Sequence, residues 1–141
     1  MTQAQIGFGV ALKRGQGDGP PETFTTIPEL LTITGPGIKI DAKDATNHGS
    51  AQFFKEKIYG LIDAGQVVAE FNWVPGNPQQ AGLLADALGR DVRNFQFLLP
   101  AAIGLKWSFA ALYTGFDPGQ PLDDKCTCKV TLDITGPTTL A

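Results

Sequence analysis

Apolar and polar residues alternate over much of this 141-residue chain, and clusters of glycine and proline separate the runs. A period of two marks strands with one apolar face. Ile6, Phe8, Val10 and Leu12 predict a first strand. Residues 14–22, RGQGDGPPE, are too rich in glycine and proline for a regular element and read as a loop. A short strand follows at 23–27, and Leu31 and Ile33 continue the alternation to a Gly35-Pro36-Gly37 turn. After a turn at 63–65, Val67, Ala69, Phe71 and Trp73 form one face of a strand that ends at Pro75-Gly76. Arg93, Phe95, Phe97 and Leu99 form the next, up to Pro100, and residues 101–104 turn the chain. Leu105, Trp107, Phe109, Ala111 and Tyr113 make an almost wholly apolar face, with a loop expected at 115–124. In the last strand Cys126, Cys128, Val130, Leu132 and Ile134 alternate with Thr127, Lys129, Thr131, Asp133 and Thr135.

Two segments break this rhythm. In NPQQAGLLADALG, Asn77 suits a helix N-cap and Pro78 the first helical position, where its missing N–H costs nothing. Ala81, Leu84, Ala85 and Leu88 then form a narrow apolar stripe, and Gly89 is placed to stop the helix. Two to three turns are marginal alone, so this helix must lie on a sheet. Residues 38–59 show neither a strand nor a helix period and read as a long polar loop. Phe54, Ile58 and Leu61 fall at helical spacing there, over too short a run to decide.

The predicted fold is mainly β: a β-sandwich or partly open barrel with one short α-helix packed on it. Thirteen threonines against two serines favour strands, and 17 glycines with 10 prolines supply the turns. A chain of this length forms one domain, residues 1–141, with a core that needs no metal or disulfide. Loops 14–22 and 38–59 are expected to be mobile in the monomer. The net charge of −3 argues against a protein that grips nucleic acid. No apolar run is long enough for a transmembrane span, and the N-terminus does not read as a signal peptide. Cys126 and Cys128, two apart in an extended strand, make poor disulfide partners and read as reduced core residues.

Candidate chemistry is sparse. His48 is the one histidine, with no nucleophile elbow and no partners at metal-ligand spacing. DAKDATNHG breaks the oxygen-rich cation-loop register at Lys43. GFGVAL has Leu12 where a dinucleotide fingerprint needs its third glycine, and GQGDG lacks the lysine of a phosphate loop. Fourteen carboxylates leave a hydrolytic pair formally open, but surface acids explain them better. Trp73, Phe95, Phe97, Trp107, Phe109 and Tyr113 could make a carbohydrate platform, yet core packing is their ordinary role. No enzyme, catalytic residue, cofactor or metal site is predicted.

The ordered set FNWVPG (71–76), QQAGLL (79–84), RNFQFLLP (93–100), KWSFAAL (106–112) and KVTLDITG (129–136) resembles the major tail tube proteins of long non-contractile-tailed, lambda-like bacteriophages. The opening strand, glycine-rich loop and TGPGIKIDAKDATNHGS resemble that family too, so the likeness spans about residues 6–136. Some members carry an immunoglobulin-like C-terminal domain; with the sequence running to Ala141, none is expected here.

The resemblance implies a structural virion protein, made in the host cytoplasm. Its copies form rings, hexameric by family analogy, whose inner strands join one ring-wide β-barrel. Stacked rings then make a tube around a tape-measure protein, through which the genome passes without specific binding. The implied partners are the chain itself, the tape-measure protein and the tail terminator and tip proteins, with no membrane. The implied place of the helix is on the sheet, away from the lumen.

Within that frame Asp41, Lys43, Asp44, His48, Phe53 and Phe54 are candidates for ring stacking, with loop 14–22 as a second contact. Two polar strand faces, Glu70/Asn72 and Lys129/Thr131/Asp133, are lumen candidates, and the sequence leaves the choice between them open. Trp73, Pro75, Gly76, Leu84, Leu88 and Trp107 are expected to form the core and the strand–helix corner. The competing readings are a tube subunit of a contractile secretion machine and a monomeric carbohydrate-binding or adhesin β-sandwich. A hydrolase with paired carboxylates is more remote.

Overall fold

The computed structural model describes residues 2, 4, 6–17, 21–101 and 103–141. Among the described residues, nine strands and one α-helix follow one another as β1 (Ala11–Gly15), β2 (Phe24–Thr26), β3 (Leu30–Thr34), β4 (Lys39–Asp44), β5 (Lys57–Asp63), β6 (Gln66–Asn72), α1 (Pro78–Gly89), β7 (Val92–Leu98), β8 (Lys106–Gly119) and β9 (Thr127–Leu140). Seven strands make one sheet in the order β2-β1-β7-β8-β9-β6-β3, and β4 and β5 make a separate two-stranded sheet.

The edge strands β2 and β3 are consecutive in the chain, joined only by residues 27–29. Four residue steps reach about 14 Å at most, so the sheet must curl until its two edges approach at that end. The edges are not hydrogen-bonded to each other, which makes this an open, curled sheet. Curling turns one face inward. Leu12, Val67, Ala69, Phe71, Phe95, Phe97, Phe109, Ala111, Val130, Leu132 and Ile134 are buried there with Leu83 of α1. Phe95 sits between Phe109, stacked at 6.0 Å, and Tyr113, edge-on at 5.9 Å.

Helix α1 lies over the mouth of the curl and ties its margins together. Asn77 caps it, its Oδ1 accepting from the N–H groups of Gln79 and Gln80. Gln80 is fully buried: its Nε2 donates to the carbonyls of Asn72 (2.9 Å) and Pro28 (3.2 Å), and its Oε1 accepts from Val74 N–H (2.7 Å). One side chain thus joins the end of β6 to the link between the two edge strands. Gln79 adds a 2.6 Å bond from Thr25 of β2. A lone helix among strands is explained by this fastening.

Several expectations need correction. The first strand starts at Ala11, not near Ile6, because Gly9 takes a left-handed φ of 98° and residues 7–9 bend; Ile6 and Phe8 stay 79 % and 87 % exposed. Arg14 and Gly15 are strand rather than loop, and residues 18–20 of that loop, like Ala102 in the 101–104 turn, lie outside the described residues. Strand β8 runs to Gly119, through half of the loop expected at 115–124, and β9 continues past Gly136 to Leu140. Irregularities between Ser108 and Ala110 and between Tyr113 and Gly115 reset the register and let the pair extend.

The face of α1 also differs. Leu84 (38 % exposed) and Leu88 (78 %) point outward and are not core, while Gln80, Leu83 and Asp86 are buried. Gly89 is the last helical residue, and Arg90, at φ 58°, makes the left-handed cap. Trp73 and Trp107 pack against the core half-buried, and Pro75-Gly76 is an exposed corner. Cys126 precedes β9 and is exposed; only Cys128 is buried, and burial, aided by the Asp117 charge, pushes its thiol up to about 11.

Candidate functional site

The segment 38–59, expected to be an irregular loop, is largely a β-hairpin. Lys39 pairs with Asp63, Ile40 with Ile62, Ala42 with Tyr59, Lys43 with Ile58 and Asp44 with Lys57. Between Ile40 and Ala42 the register shifts, since three steps on β5, from Ile62 to Tyr59, face two on β4; the extra residue interrupts the alternation of β5. Phe54, Ile58 and Leu61 share no helix: a tight turn at Ala51–Phe53, with Gln52 and Phe53 left-handed, precedes β5. Directly opposed residues share a face, so Ile40, Ala42, Tyr59 and Ile62 form an apolar strip. At its root, the strip opens on a shallow groove with Ala64, Ile134 and Pro137.

The hairpin root is held by close backbone contact. A Cβ on Gly65, whose φ is 79°, would lie 2.2 Å from Gly37 O, and one on Gly35 would lie 2.5 Å from Gln66 O. Only glycine permits that approach.

The tip is internally bonded. Asp44 Oδ1 accepts from Thr46 N–H (2.9 Å), Glu56 N–H donates to Thr46 Oγ1 (2.9 Å), and Asn47 and Ser50 cap the bend between them. The Thr46 hydroxyl and N–H hold the Asp44 carboxyl below its ordinary range, assisted by the Lys57 charge. Gln52 and Phe53 sit at left-handed φ values of 55° and 64°, a conformation rare for a bulky side chain. It leaves Phe53 wholly exposed, next to exposed Phe54. The stacking candidates thus divide: Asp41, Lys43 and Asp44 on β4, and His48, Phe53 and Phe54 at the tip.

The two lumen candidates prove to be one surface. Glu70 lies opposite Lys129, and Lys129 lies opposite Asp117 on its other side. Val68 is opposite Thr131, Gln66 opposite Asp133, and Asn72 opposite Thr127. Strands β6, β9 and β8 therefore carry Glu70, Asn72, Lys129, Thr131, Asp133 and Asp117 on the face turned away from the core, where Glu70 and Asp117 flank Lys129 and Asp133 lies four residues further along β9.

A buried ionic cluster escaped the sequence reading. Asp86 of α1 accepts from Arg14 Nε of β1 (2.5 Å) and Tyr113 OH of β8 (3.1 Å), and its Oδ1 lies 3.2 Å from Arg93 of β7. Burial opposes ionisation of Asp86, but the Arg14 hydrogen bond and charge, with Tyr113 and Arg93, outweigh it and hold the carboxyl below its usual range. The Asp86 hydrogen bond raises the Arg14 guanidinium, and burial followed by the Asp86 charge pushes the Tyr113 phenol well up. No signal in the sequence marked it, because an acid opposite the Leu84 and Leu88 stripe is what an amphipathic helix places in solvent. Among the described residues no helix is long and apolar enough to cross a membrane, and no acid, histidine and cysteine cluster could hold a metal ion.

Comparison with solved structures establishes the fold. The tail of an empty gene transfer agent particle, refined with C6 symmetry, contains a chain that superposes with a TM-score of 0.75 at 17 % identity, over 98 % of this chain and 99 % of that one. The SPP1 tail tube gives 0.71 at 12 %, over 96 % and 77 %. The sheath–tube complex of an extracellular contractile injection system gives 0.72 at 14 %, over 99 % and 92 %. Among curated proteins none matches by sequence. Residues 15–141 match the family described as the lambda phage tail tube protein, and the chain belongs to that family.

Proposed function

We propose that copies of this chain, each acting as one tail-tube domain, close into rings, that the rings stack into the tube, and that the β4–β5 hairpin bridges one ring to the next. The exposed hairpin carries this reading. A two-stranded sheet is at best marginally stable alone in water, yet this one exposes Ile40, Tyr59, Leu61, Ile62, Phe53 and Phe54 while Gly35 and Gly65 hold its root in close backbone contact. An exposed apolar surface of that kind marks an interaction site. The six-fold symmetry of the gene transfer agent tail supports six copies per ring.

The outward face of β6, β9 and β8 lines the lumen, and α1, on the opposite side of the sheet, faces away from it. The surplus of carboxylates at Glu70, Asp117 and Asp133 over Lys129 repels DNA phosphates, so the genome slides without sticking. A tape-measure protein occupies that lumen during assembly, and terminator and tip proteins close the ends. A strongly basic lumen in a tube of this chain would overturn the assignment of the face.

Electron microscopy of the purified chain tests the assembly reading, beside a variant in which Asn-Gly replaces residues 41–61. The full chain is expected to give hollow tubes of uniform width and the shortened chain only rings or monomers. Tubes of undiminished length from the shortened chain, or a full chain that stays monomeric even with tail-tip proteins added, would sink it.

A further inference from the structure

The stacking reading leaves open what the hairpin tip lands on. The hairpin leaves the body beside Gln66, which pairs with Asp133. At the other end of the same strand, Asn72 pairs with Thr127, which also pairs with Gly119. There the connection 120–126 is pinned by Trp73 N–H donating to Cys126 O (2.9 Å). Seven residues of β6 separate the two features, about 20 Å. The hairpin and the 120–126 connection therefore stand at opposite poles of the body.

Their chemistries are complementary. The tip presents the aromatic pair Phe53 and Phe54 followed by exposed Lys55. The connection presents Leu122, 98 % exposed, followed by exposed Asp123 and Asp124. If a tip met another tip, the contact would be two-fold and would close after two rings. A tip meeting the opposite pole is head-to-tail, and head-to-tail contacts that do not close on themselves grow open-ended filaments.

Building on the stacking reading, we propose that the β8–β9 connection, residues 120–126, is the acceptor for the hairpin tip of a second copy of this chain in the adjacent ring. Leu122 packs against Phe53 and Phe54 of that copy, and Asp123 and Asp124 face its Lys55.

The test uses the full chain and electron microscopy with sedimentation, in a Cys126→Ser background for cross-linking. Asp123→Lys with Asp124→Lys is expected to abolish tubes while leaving rings, as is Lys55→Asp; combining the three is expected to restore tubes. Phe54→Cys with Leu122→Cys is expected to give a ladder of covalent oligomers in tubes and none in isolated rings. Wild-type tube lengths from the Asp123/Asp124 variant, or tubes without the covalent ladder, overturn the acceptor assignment. A distinct control guards the underlying reading: if Phe53→Ser with Phe54→Ser leaves tubes intact, hairpin stacking itself fails. If that variant loses tubes and the Asp123/Asp124 variant does not, only the acceptor is wrong.

Discussion

In the seven-stranded body, Val67, Phe71 and Phe95 are at most 1 % exposed; in the β4–β5 hairpin, Tyr59, Leu61 and Ile62 are at least 69 % exposed. Both regions are antiparallel strands with apolar side chains, and they differ in what covers them. The body curls on itself and is closed by α1 through Leu83, Gln80 and Asp86. Among the described residues the hairpin has no second layer, and its internal order comes from cross-strand pairs and the bonds of Thr46, Asn47 and Ser50. One region carries its own stability, and the other leaves its apolar surface exposed, the surface that the stacking proposal gives to a neighbouring copy.

That contrast predicts graded effects in the isolated chain. Asp86→Ala strikes the body hardest, since it leaves Arg14 and Arg93 facing each other without their shared carboxylate. Loss of one partner from a buried pair costs about 3–5 kcal/mol, to be read as a lowered urea midpoint. The same group sets an acid limit. The folded-state pKa of Asp86 is depressed, so its contribution is complete above the ordinary carboxylate range and is lost as pH falls through the lower folded value. Asp86→Asn is expected to flatten the fall in stability with acid; an unchanged profile would deny the ion cluster that role.

Gln80→Leu comes next. It keeps the volume but leaves Val74 N–H and the Asn72 and Pro28 carbonyls without their buried partner, at a cost of about 1–3 kcal/mol. The accompanying loss of hydrogen-exchange protection is expected at the end of β6 and in residues 27–29, where the helix fastens the curl. Protection lost uniformly instead would mean that Gln80 serves the core at large.

Ile62→Ser, in the hairpin, is expected to change the stability of the isolated chain by no more than about 0.5 kcal/mol, as for other exposed positions. Its effect belongs to assembly, as fewer or shorter tubes. A drop in monomer stability as large as that of Gln80→Leu would erase the distinction between the two regions.

The helix and the hairpin show where sequence reading stops. Asn77-Pro78 announced the helix start because capping is a matter of neighbouring residues. Its apolar stripe misled, since Leu84 and Leu88 face outward while Gln80 and Asp86 are drawn in by partners on β1, β6, β7 and β8. Alternation puts Glu70 and Asn72 on one polar strand face and Lys129, Thr131 and Asp133 on another, but their union on one surface depends on β6 and β9 being neighbours.

The sequence by itself determined the cores of most body strands, the Pro75-Gly76 corner and the position of the helix, because period-two alternation, caps and breakers act over a few residues; the start of β1 and the full reach of β8 and β9 it did not show. Only the tertiary structure decided that 39–63 is an uncovered hairpin, that Asp86 is shared by two arginines, and that the hairpin and the 120–126 connection stand at opposite poles. Those features arise from pairings between residues far apart in the chain, where burial and charge are settled by which strand lies beside which.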